Sequence, residues 1–148
     1  MSESYQNCGA LGAYLPPEII KGHILPFLEP IVEYDSNGKK WEEYHLNNGE
    51  FDGPYKQWYC NGKLQVECTF REGKKDGPYK CWHWNGQLEV ECTYKEDERH
   101  GPYKRWYHNG KLKIECTYKE GKKDGTFKEW YPQQSCGVGQ LEAECMTT

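Results

Sequence analysis

The chain has 148 residues, 36% of them hydrophobic, with a formal net charge of −4 and a mean hydropathy of −1.05. That length predicts one domain, and its polarity excludes a thick globular core. The negative charge, with a sequence pI near 5.8, argues against a general polyanion binder, and no apolar run reaches the ~18 residues of a membrane-spanning helix.

Residues 1–14 read as a flexible tail. They lack a basic region followed by an apolar one, so a signal peptide is not expected, and the expected location is intracellular (cytoplasmic), or a virus particle. Residues 15–30, LPPEIIKGHILPFLEP, change the pattern. Pro16 and Pro17 suit a helix start, and Ile19, Ile20, His23, Ile24, Phe27 and Leu28 recur at helical spacing with one apolar face. The expectation is a short helix that caps the first edge of the array built from residues 31–148.

From residue 31 onward the chain repeats. Gly53, Gly77, Gly101 and Gly125 are separated by 24 residues each (77−53, 101−77, 125−101), which is the signature of a repeat architecture. In the same register stand Tyr55, Tyr79, Tyr103 and Phe127, then Lys56, Lys80, Lys104 and Lys128, then Trp58, Trp82, Trp106 and Trp130. Asn-Gly pairs follow at Asn61-Gly62, Asn85-Gly86 and Asn109-Gly110, then Leu64, Leu88 and Leu112, and Glu-Cys at Glu67-Cys68, Glu91-Cys92 and Glu115-Cys116. Residues 31–52 form a degenerate first copy around Asn37-Gly38. At the far end Gln133–Val138 is an insertion before Leu141, Ala143 and Cys145 resume the strand.

Asn-Gly between alternating apolar residues is a strong hairpin signal, because a two-residue type I′ turn needs positive φ at both central positions. Pro54–Cys60 should then pair with Lys63–Phe70, with Leu64, Val66, Cys68 and Phe70 on one face. In the type I′ register Cys60 faces Lys63, Lys56 faces Glu67, Tyr55 and Tyr59 join the apolar face, and Trp58 lies on the other face beside Gln65. A type I turn with a Gly bulge would shift the pairing by one and bring Trp58 to the apolar face. The Lys–Glu match favours the first. Polar stretches between hairpins reverse the chain without a crossover, so the product is a meander of ten strands.

These motifs resemble the MORN repeat, in the variant form found in bacteria and giant DNA viruses. The signature of an aromatic followed by x-x-Gly-Lys-x-x-Gly is met at Phe70–Gly77 and Tyr118–Gly125, while in the middle copy Asp97 and Glu98 replace the Gly and Lys, which predicts a different local turn. The resemblance covers roughly Tyr34 to Cys145. It implies an all-β fold, an elongated single-layer antiparallel meander of about five hairpin repeats, and a role in interaction rather than chemistry. Leu15–Pro30 is also similar to the opening of an F-box, with one residue more at Lys21-Gly22-His23, which would imply a substrate adaptor of a ubiquitin ligase.

No cofactor, metal or catalytic site is expected. The recurring Glu67, Glu91, Glu115 and Glu144 lie roughly 10 Å apart in a sheet and read as a charged face beside Lys. His83, His100 and His108 lack zinc-ligand spacing, and no nucleophile elbow, P-loop or dinucleotide fingerprint occurs. Cys68, Cys92 and Cys116 would stand two strands, ~9.5 Å, apart, too far for disulfides, and read as small buried thiols.

The expected partners are other proteins, through two surfaces. One is the tryptophan row Trp58, Trp82, Trp106 and Trp130, which reads first as packing within the sheet and second as a protein-binding face. The other is the last strand, Leu141, Glu142, Ala143, Glu144 and Cys145, which carries neither Pro nor Lys to blunt its edge and could pair with a second copy or a larger assembly by strand addition. Nucleic acid is not expected, since acidic residues interleave with the lysines. Membrane binding is disfavoured too, because Lys74-Lys75 and Lys122-Lys123 are flanked by Glu72 and Asp76, and by Glu120 and Asp124.

Overall fold

The structure, a computed structural model, describes residues 29–131 and the strand Leu141–Thr147. The expected tail, nearly all of the capping helix and the Gln133–Val138 insertion lie outside the described residues. The described residues form thirteen strands: β1 (Ile31–Tyr34), β2 (Lys40–Tyr44), β3 (Leu46–Asn47), β4 (Glu50–Phe51), β5 (Gly53–Trp58), β6 (Leu64–Arg71), β7 (Lys74–Trp82), β8 (Leu88–Lys95), β9 (Glu98–Trp106), β10 (Leu112–Lys119), β11 (Lys122–Lys123), β12 (Gly125–Trp130) and β13 (Leu141–Thr147). The main sheet runs β1-β2-β5-β6-β7-β8-β9-β10-β12-β13, every pair antiparallel, with β11 on β10 and a separate β3–β4 hairpin. This is the meander expected from the repeat, and its main path has the ten strands counted from the sequence.

The hairpin turn differs from the expected type I′. Gly62 N donates to Tyr59 O at 2.8 Å and Tyr59 N to Lys63 O at 2.8 Å, while Gly62 has φ 82° and Asn61 is not among the positive-φ residues. The turn is therefore four residues, Tyr59–Gly62, of type I with a Gly bulge. Asn61 stabilises it by accepting from Lys63 N with its Oδ1 at 2.9 Å, and its amide donates to Trp84 O of the next hairpin at 3.1 Å. Cys60 consequently lies in the turn and does not face Lys63. Tyr59 is in the turn as well, its hydroxyl donating to Trp82 O at 2.7 Å.

The Lys56–Glu67 register nevertheless holds, because a second irregularity undoes the shift. Gln57 pairs with Val66 but Trp58 pairs with Leu64, so Gln65 is an extra residue in β6. The same step recurs at Cys81/Trp82 against Val90/Leu88, and at Arg105/Trp106 against Ile114/Leu112. Trp58 thus pairs with Leu64 rather than lying beside Gln65.

The type I′ turns sit at the opposite ends of the strands. Glu72-Gly73 (φ 49° and 74°), Glu96-Asp97 (50° and 67°) and Glu120-Gly121 (48° and 72°) each link two strands with two residues. The middle copy therefore keeps the conformation of the others, against the expectation of a different turn. Asp tolerates the left-handed region better than most residues, and Asp97 Oδ1 also accepts from Lys75 N at 2.8 Å.

Two rows of side chains cross the sheet on opposite faces. On one, Tyr55, Cys68, Tyr79, Cys92, Tyr103 and Cys116 alternate as successive ladder partners. Cys68, Cys92, Tyr103 and Cys116 are the buried hydrophobic residues of the described chain, and Val90, Tyr94, Ile114, Tyr118 and Phe127 pack around them. The aromatic ring inserted between neighbouring cysteines explains how a single layer buries anything: each small thiol is roofed by rings from both adjacent strands. Cys68, Cys92 and Cys116 are free, as their spacing required.

On the other face charges alternate in sign from Glu43 through Lys56, Glu67, Lys80, Glu91, Lys104 and Glu115 to Lys128, each the ladder partner of the next. Within the hairpins the ion pairs close at 3.2 Å (Lys56–Glu67), 3.0 Å (Lys80–Glu91) and 3.1 Å (Lys104–Glu115). Each is half exposed and contributes about 0.2–1 kcal/mol. Their larger effect is to favour one register, since like charges opposite one another destabilise a strand pair.

Candidate functional site

The tryptophans end β5, β7, β9 and β12, each opposite a leucine: Trp58 and Leu64, Trp82 and Leu88, Trp106 and Leu112, Trp130 and Leu141. They are half-buried and are not among the residues packed on the Tyr–Cys core. Trp58 lies on the charged face, with Lys40 Nζ 4.6 Å from its ring and Lys40 ion-paired to Glu43. The row is tied across hairpins through Trp carbonyls: Tyr59 and Tyr107 hydroxyls donate to Trp82 O and Trp130 O at 2.7 and 2.9 Å, and His83 Nε2 lies 3.0 Å from Trp106 O. A regular aromatic row beside a charge row of alternating sign is thereby held in place by its own backbone.

The last strand, β13, is an end strand of the sheet. Its backbone pairs with β12 in the register Leu141–Trp130, Ala143–Glu129, Glu144–Lys128 and Cys145–Phe127, with Glu142 at the irregularity that recurs in each hairpin. The two predicted surfaces therefore meet at Trp130 and Leu141.

Reactive chemistry is disfavoured where it could be sought. Burial pushes the Cys68 and Cys92 thiols up to about 11 and raises those of Cys81 and Cys116. The thiolate is the nucleophile, so these groups are protonated and inert at neutral pH. His83 Nδ1 lies 3.7 Å from Glu89, which also binds Arg105 at 2.8 Å, and no cluster of metal-ligating side chains occurs among the described residues.

The sequence reading missed a third feature. Phe51, Lys75, Arg99 and Lys123 occupy one repeat position, and all lie over aromatic rings on the Tyr–Cys face. The 24-residue register carried the signal. Which lysine of each Lys-Lys pair meets the rings is set by the local pleat.

Residues 51–72, 75–96 and 99–120 each match the family described as MORN repeat variant. The matched segments begin at Phe51, Lys75 and Arg99, one per hairpin. No curated protein matches the chain. Three consecutive hairpins are thus similar to the MORN repeat variant, whose repeats generally mediate protein or membrane interactions.

Proposed function

We propose that the chain is a non-catalytic protein–protein interaction scaffold that presents the tryptophan row and its last strand to partner proteins. The observation that carries this is the alternation of charge along the tryptophan face. A row that changes sign at every strand, ~4.8 Å, has almost no net field to draw an anionic membrane or nucleic acid, yet offers directional contacts between half-buried aromatic side chains. Aromatic residues are the usual anchors of protein interfaces. Kinship with repeats abundant in giant DNA viruses extends the proposal to a structural component of a virus particle.

The end strand supplies the second contact. Unpaired N–H and C=O groups on a terminal strand template another strand, so β13 pairs with a second copy or with a partner by strand addition. Ala143→Pro removes a ladder donor there and is expected to weaken association while the chain stays folded, as read by light scattering and circular dichroism. A monomeric unmodified chain, with partners that still bind the Pro variant, would rule out the edge and leave the tryptophan face as the interface.

A further inference from the structure

Positions 51, 75, 99 and 123 are separated by the repeat length (75−51, 99−75, 123−99). At the first, Phe51 packs on Tyr55 and Phe70 with ring centroids 5.8 and 5.1 Å away. At the next three a cation takes the place of that ring. Lys75 Nζ lies 5.8 and 5.6 Å from the Tyr79 and Tyr94 centroids, the Arg99 guanidinium 5.1 and 5.4 Å from Tyr103 and Tyr118, and Lys123 Nζ 3.9 Å from Phe127. Arg99 is steadied further by the Tyr94 and Tyr118 hydroxyls, each 3.4 Å away.

Cations held this way keep their charge at a fixed height and position above an aromatic floor. Among the described residues no carboxylate lies within 4.0 Å of Lys75 Nζ or the Arg99 guanidinium. The nearby carboxylates of that face are engaged elsewhere, Glu42 with the Tyr55 hydroxyl and Glu89 with Arg105. A groove of about 390 Å³, lined by Phe51, Tyr55, Phe70 and Tyr79 with Glu42 also on its wall, reaches the first cation, Lys75.

We propose that this face binds an acidic polyproline II segment of a partner protein, with a carboxylate at every third residue. The spacing selects that conformation. The cations recur every two strands, ~9.5 Å, and a polyproline II helix repeats every three residues over about 9.3 Å. The same-face α-helical spacing closest to this is seven residues, about 10.5 Å, which falls out of step by about 1 Å per cation. Rings in a row are also what extended proline-rich chains dock against. A flat anionic membrane fits less well, because the turns beside the cations carry exposed Glu72, Glu96, Asp97 and Glu120, which would repel a broad anionic plane.

This inference rests on the interaction reading but uses the opposite face from the tryptophans, so the two fail separately. The test is fluorescence anisotropy of the full chain with a labelled peptide of about four Glu-Pro-Pro triplets, against one of equal charge with its Glu grouped at one end. The spaced peptide is expected to bind, to weaken with salt, and to lose about tenfold or more in affinity in the Lys75→Glu/Arg99→Glu variant; the grouped peptide binds several-fold more weakly. Lys75→Gln/Arg99→Gln, which keeps the stems over the rings, controls for folding and should lose binding too. No binding of the spaced peptide, equal binding of both peptides, or binding indifferent to the substitutions overturns the proposal. Vesicles of acidic phospholipid retained through Lys75 and Arg99, with no peptide binding, overturn it in favour of a membrane. In any of these cases association through β13 or the tryptophans would stand unaffected.

Discussion

Tyr103→Ala is expected to destabilise the chain by about 3 kcal/mol, the lower end of the range for removing a large aromatic ring from a core. Tyr103 is 7% exposed, lies between Cys92 and Cys116 in the ladder, and meets Tyr118 edge-on at 5.5 Å. Removing the ring uncovers both thiols and takes away one of the two rings beneath Arg99. The lower end applies because water can reach a single layer and fill part of the void. Tyr103→Phe is expected to cost under about 1 kcal/mol, since Phe127 holds the equivalent place in the next repeat and packs on the same core. Urea denaturation measures both. A Tyr103→Ala variant within about 0.5 kcal/mol of the parent would mean that the Tyr–Cys row is not what holds the repeats together.

That row was legible in the sequence because its parts are local. Tyr55 and Cys68 belong to one hairpin, as do Lys56 and Glu67, and alternation alone sends them to opposite faces. The pairing from one hairpin to the next, such as Glu67 with Lys80, depends on the Glu72-Gly73 turn, whose conformation a stretch as polar as REGKKDG does not declare. The Asn-Gly turn misled for a related reason. Asn and Gly suit a type I′ turn, yet Asn61 equally suits a type I turn in which its side chain bonds Lys63 N, and the choice was made by one extra residue, Gln65, that restores the ladder. Binding surfaces were legible as rows of tryptophans and as an end strand. The cation row escaped because Lys74 and Lys75 are indistinguishable until the backbone decides which one meets Tyr79.

Gly101→Val is expected to cost about 1–3 kcal/mol and to divide the melting transition in two. Gly101 has φ +79° and an added Cβ there meets nothing within 4 Å, so the penalty is conformational rather than steric crowding. Left-handed backbone at a β-branched residue carries a strain of that order. Because each repeat contacts only its neighbours, strain at the start of the third matched hairpin weakens the β8–β9 junction and leaves the flanks to melt separately. Gly101→Asn, which tolerates this region, should melt as one unit. A single unchanged transition in the Val variant would contradict a nearest-neighbour array.

Amide hydrogen exchange of the chain, alone and in the complex from which it is purified, tests the scaffold most directly. The expected result is a protein partner in the complex, with slowed exchange in Leu141–Thr147 or along the strand ends at Trp58, Trp82, Trp106 and Trp130. A chain that purifies with no protein partner, or whose exchange in the complex changes at neither surface, would contradict the scaffold reading.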